Sequence, residues 1–396
     1  MRLCIQWQIM KNELSYVMVT PYTIAKSRTG GVIARLLSRL DLELVGAQMF
    51  IPDKYFVRDY AENLREQNSA GGQTLLADFV MQNFISGGRA HRVLLLLFKG
   101  TDACQKCMDI CGALHSEHQG IESITGETIR DTYADLITDS NDPEKVTYFE
   151  PAVLTPRHQT EADVDLEIIA RFLKGRENLV ANIEYPDPAK IEKTLVILKP
   201  DNWSYASSKP GTIIDMFSRT GMRIIGMKIH QFTLAEAMEF YGPVEAALKN
   251  KLAPVFGGKA AEVLEKEFSV TLSDGTKKQL TESFGREYAE SQFKDIIEFM
   301  SGIRPGINGN SKPVKTMIMV YEGDGAVDKI REVLGPTDPL KAPGGTVRRE
   351  FGSNVMVNTA HASDSTESFL REQDIVKIHD NNLSNIIEEH LRQCRG

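Results

Sequence analysis

Two stretches of this chain, "GGVIARLLSRLDLELVGAQM" (Gly30–Met49) and "PGTIIDMFSRTGMRIIGMKI" (Pro210–Ile229), align without a gap. Each has the residue spacing of an amphipathic helix followed by an apolar strand. Another strand-like run that ends in proline precedes each of them, at Tyr16–Pro21 and at Thr194–Pro200. Self-similarity that keeps its order along the chain indicates a duplicated structural unit.

The alignment continues beyond these stretches. "LLLFKG" (Leu95–Gly100) matches "IMVYEG" (Ile318–Gly323), and "GETIR" (Gly126–Arg130) matches "GGTVR" (Gly344–Arg348). Each copy therefore predicts a strand, a helix, a strand, a helical region, a strand, a helix, a loop and a final strand. This order is typical of the α+β class. We predict two tandem ferredoxin-like βαββαβ domains, each with a four-stranded antiparallel sheet.

The length of 396 residues suits two or three domains. We place the boundary near Ile183, so that residues 1–182 form the first domain with a linker and residues 183–396 form the second. The second copy contains an insertion at about residues 248–291 that the first copy lacks. Within this insertion, the Asp-Gly pair of "TLSDGTKK" (Thr271–Lys278) predicts a hairpin turn.

Composition argues against several classes of protein. The net charge of −8 is unfavourable for nucleic acid as the main partner. No apolar run approaches the roughly 20 residues that cross a bilayer, and "VLLLLF" (Val93–Phe98) is long enough only for a buried strand. The first residues lack the pattern of a signal peptide, and five cysteines fit a reducing compartment. We therefore expect a cytoplasmic protein with no membrane partner.

Four motifs in the second copy together resemble the nucleoside diphosphate kinase family, in order and nearly in spacing. The last of them places a histidine among small polar residues, where a lone histidine would otherwise be read as structural. The resemblance spans 191–373 and extends to the first copy only through the repeat. The motifs are "TLVILKPD" (Thr194–Asp201), "EVLGPTDP" (Glu332–Pro339), "PGGTVRREF" (Pro343–Phe351) and "NTAHASDS" (Asn358–Ser365).

The resemblance implies that His361 is the catalytic nucleophile. Imidazole is largely neutral near pH 7 and can then attack phosphorus without a strong base. Glu372 matches the carboxylate that orients this histidine, and Ser363 and Asp364 match residues that shape the surrounding turn. The implied activity transfers the γ-phosphate of a nucleoside triphosphate to a nucleoside diphosphate, in a ping-pong mechanism through phosphohistidine. Two alternatives stay open: a non-catalytic nucleotide-binding or regulatory protein, and a protein phosphotransferase that uses the same histidine.

The same resemblance implies a nucleotide-binding cleft. Its arginines would clamp phosphates, since a planar guanidinium can hold two oxygens at once. Lys199 would serve both catalysis and binding, and Asn358 would join it at the sugar. Phe293 is the preferred base-stacking residue, with Gln292 as the alternative. The complete expected binding set is Lys199, Tyr241, Phe293, Arg331, Thr337, Arg348, Val355 and Asn358.

No P-loop motif is present in the sequence. We therefore expect Mg²⁺ to arrive as the complex with the nucleotide, without a dedicated protein metal site. The expected partners are ATP and other nucleoside tri- and diphosphates. Single-domain members of the family form closed oligomers, which implies a homo-oligomer here, and the two fused copies could take the place of two subunits.

The first copy lacks this chemistry. In the aligned register Lys199 becomes Thr20 and Arg331 becomes Met108, whereas Arg348 is retained as Arg130. The segment 131–156 contains no histidine, and His158 just beyond it has none of the motif around it. We predict a degenerate partner domain that does not transfer phosphate.

One competing signal lies in the first copy. "CQKCMDICGALHSEH" (Cys104–His118) has cysteines and histidines at spacings that suggest a zinc site. The repeat aligns its three cysteines with apolar helix positions of the second copy, where cysteine behaves as a small apolar residue. We favour a buried helix face, formed by Cys104, Cys107 and Cys111, over zinc.

Overall fold

The computed structural model describes residues 12–67, 72–114, 126–142, 146–306, 312–380 and 382–395. The described part of the first half contains eight strands: β1 (Asn12–Val19), β2 (Glu43–Phe50), β3 (Ile85–Ser86), β4 (Arg89–Ala90), β5 (Val93–Thr101), β6 (Asp135–Thr138), β7 (Val146–Glu150) and β8 (Val153–Leu154). Four of them form an antiparallel sheet of order β2-β5-β1-β8, and β3-β4 and β6-β7 form two small two-stranded sheets.

The second half repeats this arrangement. Its strands are β9 (Ile191–Leu198), β10 (Arg223–His230), β11 (Thr316–Asp324) and β12 (Ala360–Ala362). They form an antiparallel sheet in the order β10-β11-β9-β12, which is the order of the corresponding strands in the first sheet. Even the register shift in the second strand recurs, between Leu44 and Gly46 and between Ile224 and Gly226. The predicted pair of four-stranded antiparallel sheets is therefore present.

Fifteen α-helices are found in the described part of the chain. None of them combines the length and the apolar composition that a bilayer span requires. They are α1 (Pro21–Ala25), α2 (Thr29–Arg39), α3 (Lys54–Glu66), α4 (Gly72–Asn83), α5 (Ala103–Cys111), α6 (Ile129–Tyr133), α7 (Gln159–Leu173), α8 (Lys209–Ser218), α9 (Leu234–Phe268), α10 (Asp274–Leu280), α11 (Arg286–Ser301), α12 (Ala326–Leu334), α13 (Val347–Phe351), α14 (Thr366–Ile375) and α15 (Leu383–Arg395).

The apolar faces of the two halves form a shared core. One cluster of buried residues includes Val17 and Ile33 from the first half and Leu195 and Ile213 from the second. Helices α2 and α8 pack against each other at its centre. The two halves therefore bury each other's surface instead of standing apart as two separate globules.

The last helix belongs, by packing, to the first half. Along α15, Leu383, Ile387 and Leu391 recur on one face and lie in the core cluster formed by first-half residues. Helix α15 packs against α7, and Lys174 pairs with Glu388 at 2.9 Å. The C-terminal segment thus completes the core of a domain from which it is distant in sequence.

The insertion is helical, and the predicted hairpin turn is wrong. Asp274 and Gly275 lie in the first turn of α10, where the hydroxyl of Ser273 accepts a hydrogen bond from the backbone N–H of Thr276. Serine is a favoured N-cap, and an acidic residue in the first turn is stabilised by the helix dipole. These helix-start signals outweigh the turn preference of an Asp-Gly pair.

Candidate active site

The last strand of the second sheet carries the predicted nucleophile. His361 lies in β12, where it pairs with Ile197 of β9, and its side chain is 22% exposed. Its Nε2 lies 3.0 Å from Oε1 of Glu372, a residue of α14 that is 3% exposed. The Ser363 hydroxyl donates to the other carboxylate oxygen at 2.6 Å. Both carboxylate oxygens of Glu372 therefore have a hydrogen-bond partner, and the fixed carboxylate in turn orients the imidazole of His361.

This contact determines which ring nitrogen keeps a free lone pair. An ionised carboxylate accepts hydrogen bonds, so its partner Nε2 carries the ring hydrogen. Nδ1 of His361 is then left with a lone pair. The ring of Phe240 packs edge-on against the imidazole, with centroids 5.2 Å apart. The ring of His361 is therefore fixed in both tautomer and orientation.

Lys199 lies at the end of β9 and is 8% exposed. Its Nζ donates to Oδ1 of Asn358 at 2.7 Å, and the amide nitrogen of Asn358 donates to the carbonyl oxygens of Thr337 and Val355. Burial, with a smaller contribution from the charge of Arg348, lowers the pKa of Lys199 to about 7. The lysine and asparagine assigned to the sugar are thus in direct contact.

The structure shows a supporting residue that the sequence did not reveal. The amide nitrogen of Asn202 donates to the carbonyl oxygens of Lys199, at 2.9 Å, and Thr359, at 2.7 Å. Thr359 has a left-handed backbone, with φ of +71°, immediately before β12. Asn202 therefore joins the Lys199 loop to the turn that precedes His361. The only signal for this role is its position three residues after Lys199.

The two arginines differ in their environment. Arg348 is buried in α13, and its guanidinium donates to the carbonyl oxygens of Gly335, at 3.0 Å, and Ala360, at 3.1 Å. Burial, together with the charge of Arg331, lowers the pKa of Arg348 to about 10. Arg331, in α12, is exposed. Arg348 thus also braces β12, whereas Arg331 presents its charge to solvent at the mouth of the site.

The remaining predicted residues lie around this centre. The hydroxyl of Tyr241 is buried next to Glu372 and has no hydrogen-bond partner among the described residues, and burial raises its pKa. Thr337 and Val355 are exposed. Asp364 accepts a hydrogen bond from the Ser368 hydroxyl at 2.5 Å, which, with the charge of Arg331, lowers the pKa of Asp364. Asp364 therefore supports the start of α14.

The assignment of Phe293 to base stacking needs correction. Its ring is 3% exposed and belongs to the shared core cluster. A base needs an open aromatic face, and a ring packed on all sides offers none. Gln292, the alternative, is partly exposed, and its amide donates to Asp295 at 3.0 Å.

The first half has the same backbone arrangement without the same chemistry. Leu154 pairs with Met18 as His361 pairs with Ile197, so a buried leucine occupies the position of the histidine. Ala152 even repeats the left-handed backbone of Thr359, with φ of +61°. The equivalent position therefore cannot hold a phosphate covalently.

The hydrogen bonds of Arg130 explain why the first half has an arginine at this position. Arg130 donates to the carbonyl oxygens of Gly112 and Val153, as Arg348 does to the equivalent residues of the second half. The cavity beside Arg130 has a volume of about 20 Å³, and Arg157, which also lines it, pairs with Glu161. Arginine thus acts in the first half as a structural brace.

The three cysteines of α5 are buried in the core. Burial raises the pKa of Cys104 and of Cys111 to about 12, so both thiols stay protonated. His115 and His118 of the zinc alternative lie outside the described residues. Within the residues that the structure describes, no three potential metal-ligating His, Cys, Asp or Glu side chains come together.

Comparison with known proteins finds similarity to one family. The family model "Nucleoside diphosphate kinase" matches residues 263–380. A nucleoside diphosphate kinase of Bdellovibrio bacteriovorus is 34% identical over 182 residues, which are 46% of this chain and 89% of that protein. One of Paracoccus denitrificans is 32% identical over 46% of this chain and 90% of its own length. A solved nucleoside diphosphate kinase structure from Aquifex aeolicus is 26% identical and covers 47% of this chain and 94% of its own, with a TM-score of 0.30.

The fold and the site together define an α+β protein with a carboxylate-oriented histidine at the edge of an antiparallel sheet. The chain belongs to the nucleoside diphosphate kinase family.

Proposed function

We propose that this protein is a nucleoside diphosphate kinase with one competent site, in its second half. The observation that carries the proposal is the contact of His361 Nε2 with Glu372, which leaves Nδ1 as the nucleophile. The first half, in which Leu154 replaces the histidine, is proposed to be a degenerate domain of the same type that supports the second.

In the proposed first half-reaction, Nδ1 of His361 attacks the γ-phosphorus of a nucleoside triphosphate. An N–P bond forms, the bond to the oxygen bridging the β-phosphate breaks, and a nucleoside diphosphate leaves. In the second half-reaction a terminal oxygen of another nucleoside diphosphate attacks the phosphorus, and the N–P bond breaks. Glu372 stabilises the positive charge on the ring, and Arg331 and Lys199 stabilise the charge on the phosphoryl oxygens.

Magnesium is proposed to enter as part of the substrate. Nucleotide phosphates and water would supply its ligands, as is usual for this ion. The cationic residues of the site, Lys199, Arg331 and Arg348, suit the phosphate oxygens and not the metal.

The experiment that tests this function uses γ-labelled ATP with Mg²⁺ and the full chain. We expect an acid-labile, base-stable phosphoenzyme that GDP discharges with formation of labelled GTP. A protein that takes up no label would overturn the proposed kinase. Label that forms but resists GDP would instead favour a protein acceptor.

We expect nucleotide binding to be accompanied by proton uptake at Lys199. Because burial holds the pKa of Lys199 at about 7, its amine is mostly neutral in the free protein at about pH 8. A bound polyphosphate favours the charged amine, so uptake should approach one proton per nucleotide there and fade below about pH 7. Affinity should consequently fall as pH rises from about 7 to 9.

Titration calorimetry with ADP in buffers of different ionisation enthalpy measures this uptake. Lys199→Met, which removes the titrating amine, should bind ADP without it. The interpretation fails if the variant takes up as many protons as the wild type.

A further inference from the structure

The two halves meet in two equivalent junctions. In each of them a positively charged side chain of one half donates a hydrogen bond to a backbone carbonyl oxygen of the other half. Arg92 directly precedes β5, and Lys315 holds the same position before β11. The guanidinium of Arg92 donates to the carbonyl oxygen of Ile224, at 2.6 Å, and the amine of Lys315 donates to that of Leu44, at 2.8 Å. Leu44 and Ile224 are themselves equivalent residues of the repeat. The two hydrogen bonds therefore join equivalent positions of the two halves.

The two junctions differ in charge. In one, Nζ of Lys315 lies 3.3 Å from a carboxylate oxygen of Glu43. The residue equivalent to Glu43 in the other junction is Arg223, at the start of β10. Arg92 therefore has a second arginine as its neighbour where Lys315 has a carboxylate, and the guanidinium of Arg223 also lies over the ring of Tyr185, 5.2 Å from its centroid. The duplication provides its own control, because the same backbone holds an ion pair on one side and two like charges on the other.

Two carboxylates lie near the arginine pair, and each is shared with another cation. Glu184, which lines a cavity beside both arginines, pairs with Arg89. Glu322 faces Arg223 across the β10–β11 pair, but its Oε2 lies 3.5 Å from Nζ of Lys193. In the described part of the chain, neither Arg92 nor Arg223 has a carboxylate within ion-pair distance. Burial lowers the pKa of Arg92, and the charge of Arg223 lowers it further. The junction thus holds more positive than negative charge.

Open space adjoins both arginines. A cavity of about 310 Å³ lies on one side, lined also by Thr29, Ile214 and Met222. A second, of about 260 Å³, lies on the other, lined also by His91 and Asn182 and by Arg89, which pairs with Glu184. Arg92 and Arg223 line both cavities. Their side chains are therefore accessible to a small molecule that enters from either side.

We propose that this junction binds a small phosphate-bearing anion through Arg92 and Arg223. Guanidinium groups match phosphate oxygens in geometry and charge, and a bound anion relieves the repulsion between the two arginines. The apolar lining of the larger cavity, with Ile214 and Met222, suits a phosphate attached to an organic group. A mononucleotide has both parts.

This site is separate from the active site. Arg223 pairs across the sheet with Glu322, which in turn pairs with Lys193 of β9. Lys199 lies six residues further along that strand, which corresponds to about 20 Å. An anion at the junction would contact both halves of the chain at once. A bound anion at the junction should therefore stabilise the association of the halves and leave the catalytic cleft free.

The test is titration calorimetry of the full chain with ADP, inorganic pyrophosphate and adenosine at constant ionic strength. We expect wild type to bind one more equivalent of ADP than Arg223→Glu, which introduces the acid of the other junction. Arg223→Gln should lower affinity at this site at least tenfold with less risk to folding. Glu43→Gln, in the equivalent junction, is the matched control and should bind as wild type.

Binding of pyrophosphate as tight as that of ADP would assign recognition to the phosphates alone, whereas tighter binding of ADP would assign part of it to the nucleoside. Both support the site. Equal ADP stoichiometry in wild type and in folded Arg223→Glu would overturn it, as would unchanged ADP affinity at this site in Arg223→Gln or adenosine binding as tightly as ADP. Phosphoenzyme formation at His361 should persist in both variants, so this result is independent of the proposed kinase activity.

Discussion

His361→Ala is expected to abolish phosphoenzyme formation and to lower phosphate transfer by at least roughly 10⁴-fold, because removal of a covalent nucleophile leaves only binding and charge stabilisation. The fold should survive, since the side chain is partly exposed and its buried partner Glu372 keeps the Ser363 hydrogen bond. ADP affinity should change little, because the arginines and Lys199 remain. Quenched time courses with γ-labelled ATP measure the loss of phosphoenzyme formation, and a coupled turnover assay measures the loss of phosphate transfer.

His158→Ala is the matched control. His158 is also a histidine beside a glutamate, with Nε2 3.3 Å from Glu161, but it lies in the first half and is largely exposed. We expect this variant to label and turn over as wild type does. Label that persists in His361→Ala, or that disappears in His158→Ala, would contradict the assignment of the nucleophile.

The repeat made the sheets predictable from sequence. Both copies keep the apolar strand runs and the helix that separates the first two, so aligned residues occupy equivalent strand positions. The brief final strands were harder to locate, since β8 has only two residues, Val153 and Leu154. Their pairing depends on the left-handed residue before each strand, a backbone feature that Ala152 and Thr359 give no reason to expect.

The central site was predictable because its residues occur in short motifs. His361, Ser363 and Glu372 lie within 12 positions of one another, and a strand followed by a helix brings them together. Asn202 could not be found in this way, because its role depends on bringing the nearby carbonyl oxygen of Lys199 together with that of Thr359, which lies far away in the sequence. The assignment of Phe293 to base stacking failed for a related reason, because sequence alone does not show which face of α11 is turned towards the core.

Other features depend on tertiary contacts across the whole chain. Helix α15 has an apolar face that any sheet could cover, and only the folded chain shows that it packs beside α7. The structural role of Arg348 is also visible only in the folded chain. Its match to Arg130 was visible in the repeat, but the reason for retention, hydrogen bonds to two backbone carbonyls, was not.

The contact between the two halves depends on glycines at the crossing of α2 and α8. A Cβ atom on Gly30 would lie 2.5 Å from the backbone nitrogen of Asp215, and one on Gly211 would collide with the backbone of Ala34 and the carbonyl oxygen of Gly30. These neighbours are backbone atoms of packed helices and cannot rotate away. The two helices therefore approach as closely as they do because neither has a side chain there.

Gly211→Ala is accordingly expected to lower the free energy of unfolding by about 1–3 kcal/mol, the usual cost of overpacking a close contact, despite the better helix propensity of alanine. Gly258→Ala is the matched control, because Gly258 is also helical, in α9, and has open space at its Cβ position. It should be neutral or stabilising. Urea unfolding followed by circular dichroism measures both, and equal midpoints for the two variants would show that the halves tolerate separation at this crossing. Since the core cluster spans both halves, the expected loss at Gly211 should reach residues of either sheet, which hydrogen exchange of β1 and β9 can record.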